Sequence, residues 1–395
     1  MADGSKIEWT DATWNPITGC SVVSPGCTNC YAMKLAGTRL RNHPSREGLT
    51  RDTKAGPVWT GEVRLNEDWL TQPLRWKKPR MIFVCAHGDL FAENVPDEWI
   101  DRVFAVMALA PQHTFQVLTK RAARMREYMC GLHHEPRSHL AGRMQAAAER
   151  LNWFIDQPGD GCFLGPRFRE GAHGYIERPF ENVWLGVSAE DQTRADERIP
   201  LLLDTPAAVR WVSAEPLLGP IDFRLISHPQ HSGADVLTGH DATPCPLSDP
   251  YCESDDGECH DGCEPNPRID WIVAGGESGS DARPMHPDWV RSIREQCRAA
   301  FVPFHFKQWG EWGDYRQIGA DSWAYSVMKG TERCGVVREG GEAMFEGRAF
   351  PTRYPWRDGG PGPCMVRVGK KLSGRTLDGQ THDEWPRAYG TRAPS

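Results

Sequence analysis

The chain has no long apolar run. No stretch of its 395 residues approaches the length of a membrane span. Its N-terminus, MADGSKIEWTD, is polar and acidic and lacks the apolar core of a secretory signal. No internal repeat is visible. No Lys or Arg lies between Leu225 and Pro267, a segment that carries nine acids from Asp235 to Glu264. Without those nine the formal charge of -7 becomes +2, so the body of the chain is close to neutral. These absences argue against a membrane or secreted protein and point to a cytoplasmic, reducing compartment. There, the thirteen cysteines would serve metals or catalysis more often than disulfides.

One absence is local. Cys20, Cys27 and Cys30 stand in TWNPITGCSVVSPGCTNCYA with spacing Cys-x6-Cys-x2-Cys, and no fourth Cys or His lies nearby in sequence. A structural zinc site takes four protein ligands and is closed. Three thiolates on a 4Fe–4S cluster leave one iron open to a substrate or cofactor. Buried core thiols are the third reading. The flanking Gly19, Pro25 and Gly26 argue against it, and the triad favours a cluster.

What is present is a series of strand-like runs alternating with helical ones. The runs are Met81–Ala86, Thr114–Thr119, Val183–Ser188, Val209–Ala214, Asp270–Gly276 and Pro303–Trp309. Helical periodicity falls at about Asn29–Arg41, Asp97–Leu109, Ala195–Leu203 and Asp288–Ala299. Apolar runs of this length separated by helices read as parallel strands with crossover helices. The expected fold is α/β, a partial or complete (β/α) barrel over residues 1–311, with a doubly wound open sheet as the alternative. Residues 312–395 read as an irregular C-terminal extension. Two insertions are expected, at about 130–180, with an Ala-rich helix, and at 226–268.

Each strand ends in polar residues, where barrel enzymes place their active sites. They include Asp89, Ser188, Glu190, Ser213, Glu215, Glu277 and Lys307, and Cys85 lies at such an end. Any strand can end in a polar loop, but six in succession suggest a site. Gly275, Gly276 and Glu277 sit in GGESG, a weak motif by itself. In the acidic insertion Cys245, Cys252, Cys259 and Cys263 suggest zinc, a second cluster, or incidental thiols. The basic clusters Lys120–Arg126 and Lys370–Arg375 supply Arg121, Arg124, Lys370, Lys371 and Arg375 as candidate phosphate contacts, or merely a solvated face.

The stretches IEWTDATWNPITGCSVVSPGCTNCYA, GDLF, VLTKR, LGVSAEDQ, ADERIPLLL, SAEPLLGPID, WIVAGGESG, ARPMHPDWVRSIREQC, PFHFKQWGEW and GKKLSGRTLDGQTHDEWP resemble the phage-associated three-cysteine-motif family. That family is a domain of unknown function regarded as radical-SAM-like and distantly similar to spore photoproduct lyase. The resemblance covers both ends and every expected strand, and excludes the two insertions. It implies a barrel of the radical-SAM type, a 4Fe–4S cluster on Cys20, Cys27 and Cys30, and S-adenosylmethionine on the open iron. It further implies an electron donor, a 5′-deoxyadenosyl radical, and nucleic-acid modification or repair. Gly275, Gly276 and Glu277 would hold the methionine amino group, with Asp89, Ser188, Glu190 and Ser213 around the cofactor and Cys85, Glu215 and Lys307 at the reacting centre. Two features depart from radical-SAM enzymes in general: their cysteine motif has a first spacing of x3 and an aromatic residue before the last cysteine, where this chain has x6 and Asn29, and their Gly-Gly-Glu element follows the second strand, where GGE here comes late. The rival classes are a radical enzyme on a peptide or small metabolite, and a non-catalytic zinc-binding phage interaction protein.

Overall fold

A computed structural model describes residues 4–5, 7–134, 180–228, 231–239, 267–314, 334–337, 342–345, 348–351 and 364–386. Its centre is a seven-stranded parallel sheet. The strands are β1 (Ala12–Trp14), β2 (Met81–Val84), β3 (Thr114–Thr119), β4 (Val183–Ser188), β5 (Val209–Ala214), β6 (Trp271–Gly275) and β7 (Phe304–Gln308). They lie side by side in chain order, and every pairing is parallel. A doubly wound sheet reverses its order at a switch point. This order has no reversal, so right-handed crossovers place the helices on one face and the sheet curls into a half-barrel. The doubly wound alternative is thereby excluded. The six expected strands are present. A seventh, β1, is only three residues long, too short for an alternating pattern to be recognised.

Helices α1 (Tyr31–Gly37), α2 (Asp97–Leu109), α3 (Ala122–His134), α4 (Gln192–Leu203) and α5 (Pro287–Ala299) follow strands β1, β2, β3, β4 and β6. Their starts are chemically marked. Asp97 and Glu98 open α2, where carboxylates meet the positive end of the helix dipole. Asp191 caps α4 by accepting from the Arg194 amide at 2.9 Å. Pro287 opens α5, where its missing N–H costs nothing.

Strand alternation sorts the core into two clusters. Ile82, Val84, Phe115, Val117, Leu185, Val212, Ile272 and Phe304 face the helices. Trp184, Trp211, Trp271 and Val273 face the concave side, where Trp9 joins them. The Trp9 ring lies edge-on to Phe83 at 4.8 Å and to Trp211 at 5.3 Å. Trp385 stacks on Trp271 at 5.0 Å. The bottom of the half-barrel is therefore packed with indole. Gly186 lies opposite Trp211 in register, and a Cβ there would meet the Trp211 ring at 2.5 Å.

Two expectations change in detail. The C-terminal extension is not wholly irregular: β8 (Trp312–Asp314), β9 (Cys334–Val337), β10 (Glu342–Phe345), β11 (Arg348–Pro351) and β12 (Cys364–Arg367) form an antiparallel sheet in the order β8-β12-β9-β10-β11. Strands of three or four residues amid Gly and Arg leave little periodicity to read. The acidic insertion begins later than expected. Ile226, Val236 and Leu237 are buried, and the amides of Val236 and Ile269 donate to Phe223 O and Val236 O. Trp309 and Trp312 are buried and donate their indole N–H to Thr376 O and Ala282 O. The Ala-rich helix and the Cys245–Cys263 group lie outside the described residues. Among the described residues, no helix is long and apolar enough to cross a membrane.

Replacing Gly186 by Ala should push the Trp211 ring out of place. An overpacked core costs about 1–3 kcal/mol, and urea denaturation should register that loss; an unchanged midpoint would mean the indole layer is loosely packed.

Candidate functional site

The cysteine-bearing loop reaches the rim of the half-barrel through a tight turn at Gly19. Its φ is +98°, and a Cβ would strike Glu62 O at 2.2 Å, so glycine is required there. A single 3-10 turn, Pro25–Cys27, then folds the loop back, and Cys30 precedes α1.

Two buried carboxylates hold this loop over the strand ends. Glu190, just after β4, accepts from Ser24 Oγ and from the Gly26 amide at 3.1 Å. It also pairs with Lys120 Nζ at 3.2 Å and Arg198 Nη1 at 3.0 Å, and its side chain is 0% exposed. Burial alone would raise its pKa. Lys120 and Arg198, with the bonds from Ser24 and Gly26, overcome that and hold the carboxyl at about 2. A Cβ on Gly26 would lie 2.8 Å from Glu190 Oε1. Glu277, just after β6, accepts from Arg283 Nη2 at 2.6 Å, Nε at 2.9 Å and the backbone amide at 2.8 Å, and from Asn29 Nδ2 at 3.0 Å. Arg283 also donates to Pro25 O at 3.0 Å.

Under the loop lies a cavity of about 470 Å³. Cys20, Cys27 and Cys30 line it, together with Cys85, Asp89, Arg121, Ser188, Ser213, Glu215, Gly276, Glu277, Lys307 and Lys370. Trp9, Phe83 and Leu118 give it apolar wall. Strand ends far apart in sequence thus converge on one space beside the triad.

Within that space the candidates differ. Ser188 and Ser213 are register partners whose hydroxyls belong to the lining. Lys307 Nζ pairs with Glu215 Oε1 at 3.1 Å. Asp89 accepts from Thr119 Oγ1 at 2.7 Å, the Phe91 amide at 3.0 Å, the Lys120 amide at 3.1 Å and Arg121 Nη1 at 3.2 Å. Cys85 sits at φ +55°, a left-handed turn after β2, and burial pushes its thiol up to about 12. Gly275 is not in the lining; a Cβ on it would lie 2.7 Å from Glu215 Oε1. Glu190 stands behind the loop rather than in the cavity.

The basic candidates do not form one surface. Arg121 is buried against Asp89, Glu93 at 3.0 Å, Ser21 O at 3.0 Å and Cys20 Sγ at 3.3 Å. Arg124 spends its guanidinium on Ala92 O, Val95 O and Asp97. Arg375 pairs with Asp383. Lys370 lines the cavity and pairs with Glu8 at 3.5 Å, and Lys371 is exposed.

The three triad sulfurs are close enough to oppose one another's ionisation. Burial, with Asp89, Cys27 and Cys30, pushes the Cys20 thiol up to about 12 against the pull of Arg121. Burial, with Cys27, also raises Cys30. Thiols gathered at one wall and costly to ionise alone suit a metal that would neutralise them together. Among the described residues, however, no three His, Cys, Asp or Glu side chains are already drawn in as a ligand group. The donor set, three cysteines lining one cavity, fits an iron–sulfur cluster, whose thiolates bind separate irons and need not close on one ion.

Sequence reasoning missed Ser24, Asn29, Arg198 and Arg283. Arg198 carried a signal. It lies on the apolar face of α4 with Ala195, Ile199 and Leu202, a place where an arginine needs a buried acid. Asn29 carried none, because its carboxylate partner is 248 residues away; Arg283 is six residues from the same carboxylate, in a loop with no periodicity to read.

A family model described as "Protein of unknown function (DUF5131)" matches residues 4–386. The chain belongs to that family. Comparison with curated proteins and with solved structures gives no match.

Glu190→Ala would strand Lys120 and Arg198 without their shared acid. Leaving buried charge unpaired costs about 3–5 kcal/mol, so the variant should unfold at a markedly lower urea concentration. Because the Glu190 pKa is depressed in the folded state, its stabilisation is complete above its ordinary value of 4.5 and is lost as pH falls from there through about 2. Wild-type stability measured across that window should fall more steeply than that of Glu190→Gln. Parallel curves would show that Glu190 does not anchor the loop as an ionised carboxylate.

Proposed function

We propose that this DUF5131 protein is a radical-SAM-like iron–sulfur enzyme whose cofactor is held by Cys20, Cys27 and Cys30 over the C-terminal ends of the half-barrel strands. The observation that carries this reading is the convergence of those three cysteines on one cavity with polar ends from β2 to β7. When bound, a 4Fe–4S cluster on three thiolates supplies a low-potential electron and an open iron for S-adenosylmethionine, whose cleavage yields methionine and a 5′-deoxyadenosyl radical.

The chain's own residues do the positioning. Glu190 and the Glu277–Arg283 pair fix the cysteine loop above the strand ends. Glu277 has both oxygens engaged by Arg283 and Asn29, so it holds the loop rather than receiving an amino group. The Glu215–Lys307 pair offers one carboxylate and one ammonium inside the cavity, a match for the ends of a zwitterionic amino-acid moiety. Ser188 and Ser213 add neutral hydrogen-bonding groups beside it. Trp9, Phe83 and Leu118 keep that side of the cavity apolar, which limits water near a reactive intermediate.

The proposed substrate is nucleic acid or a nucleotide. Among the basic candidates, support on the protein surface is confined to Lys371 and to Lys370, whose pairing with Glu8 at 3.5 Å is the longest of the set, since Arg121, Arg124 and Arg375 are held in closer pairs. A peptide or small metabolite is the competing substrate class.

Protein purified without oxygen should be brown and carry about four irons per chain. Cys20→Ala, Cys27→Ala and Cys30→Ala should each abolish the cluster's absorbance and its EPR signal on reduction. Full iron in the triple variant would sink the assignment of the cluster to this triad, and zinc in place of iron in the wild type would turn the reading toward a zinc-binding interaction protein. Adding S-adenosylmethionine should change the EPR signal of the reduced wild type, and no change would reject the radical-SAM assignment.

Binding of single-stranded DNA should weaken with salt by a log–log slope of about -0.7 per phosphate contact. Lys370→Glu with Lys371→Glu should flatten that slope by roughly two contacts' worth. No DNA or RNA binding at low salt by cluster-replete protein would favour the peptide or metabolite class.

A further inference from the structure

The sequence suggests Arg121 as a phosphate contact, but its geometry serves something else. It is 8% exposed, and its guanidinium is divided among four groups. Nε meets Glu93 at 3.0 Å. Nη2 meets Ser21 O at 3.0 Å, Glu93 at 3.2 Å and the Ser21 hydroxyl at 2.5 Å. Nη1 meets Asp89 at 3.2 Å and the sulfur of Cys20 at 3.3 Å. Asp89 is itself fixed by Thr119 and two backbone amides, so the Nη1 donor is aimed by a rigid carboxylate. A buried cation held this way cannot swing out to meet a polyanion. It presents one N–H to one triad sulfur.

We infer that Arg121 is a positioning and tuning residue for the metal centre: its Nη1–H bond to the Cys20 sulfur raises the reduction potential of the cluster. The inference rests on the iron–sulfur reading of the triad. The step it concerns is the transfer of one electron from a low-potential one-electron donor to the cluster, which takes it from the 2+ to the 1+ state with no bond or proton moved. Reduction adds negative charge that spreads onto the sulfurs. A cationic donor bonded to a sulfur stabilises that added charge, and hydrogen bonds to the sulfurs are among the recognised determinants of cluster potential. Asp89 opposes this donor and acts on Cys20 more strongly than Arg121 does, so what Arg121 contributes is the difference between its presence and its removal. Lysine could keep the charge at this position. Its single ammonium could not reach Asp89, Glu93, Ser21 and the sulfur together.

The test is a redox titration, by EPR, of anaerobically reconstituted wild type and Arg121→Lys, each checked for full iron content. Loss of a hydrogen bond to a charged group should lower the reduced-to-oxidised ratio at a fixed potential by about tenfold, equal to about 59 mV for a one-electron couple. Arg121→Met should fall further. Because these variants could lose the cluster outright, a second measurement uses the wild type alone. Reduced protein carrying 15N-labelled arginine should show a nitrogen hyperfine coupling to the cluster. An unchanged midpoint in iron-replete Arg121→Lys, or no arginine coupling in the wild type, would overturn the inference while leaving the cluster assignment intact. A wild type that takes up no cluster would overturn both, and its iron content distinguishes that failure from the first.

Discussion

The buried carboxylate of Glu190 is the constraint on which the rest of the site depends. A side chain with no exposed surface and two cationic neighbours must stay ionised. It can do so only where donors surround it on every side. Lys120 comes from the end of β3, Arg198 from α4, and Ser24 and Gly26 from the cysteine loop. Satisfying one acid therefore locks together two strand ends, one helix and the loop that carries the triad. The need for glycine at position 26 follows from the same contact, because a methyl group would enter the space of the carboxylate oxygen.

The second clasp works by the same rule two strands along the sheet. Glu277 ties Asn29 and Arg283 to the end of β6, and Lys34 adds a half-exposed pair with Asp281 at 2.8 Å. The exposed pair contributes little, since solvent screens it. The buried one fixes geometry, since its carboxylate has no water to fall back on. Between the two clasps the charged side chains of the cavity are matched with partners: Asp89 with Arg121, Glu215 with Lys307, Lys120 with Glu190, Lys370 with Glu8.

The indole wall ties the site to the fold. Trp9 contacts Phe83, Trp211 and Trp271, and Lys307 Nζ lies 5.9 Å from the Trp9 ring. The half-barrel's concave face is thus dry below and polar above, and the polar layer is where strand ends carry Ser188, Ser213, Glu215 and Lys307. Parallel pairing produces this layering directly, because every strand presents its C-terminal end to the same rim.

Much of this architecture was legible in the linear sequence. Apolar runs of five or six residues specify buried parallel strands whatever surrounds them, so Thr114–Thr119, Val183–Ser188 and Val209–Ala214 coincide with β3, β4 and β5. The alternation with amphipathic helices gives the α/β class, and the cysteine spacing singles out the triad, since both are local patterns. Tertiary structure alone decided which polar residues are available for chemistry. Glu190, Glu277 and Arg121 looked like ligands at strand ends, yet each is consumed by partners, some near in sequence (Arg198 for Glu190, Arg283 for Glu277) and others distant (Ser24 for Glu190, Asn29 for Glu277, Asp89 for Arg121). The distant partners cannot be read from the chain, because a buried charge is satisfied by whatever the fold brings near it, and distance along the sequence places no limit on that.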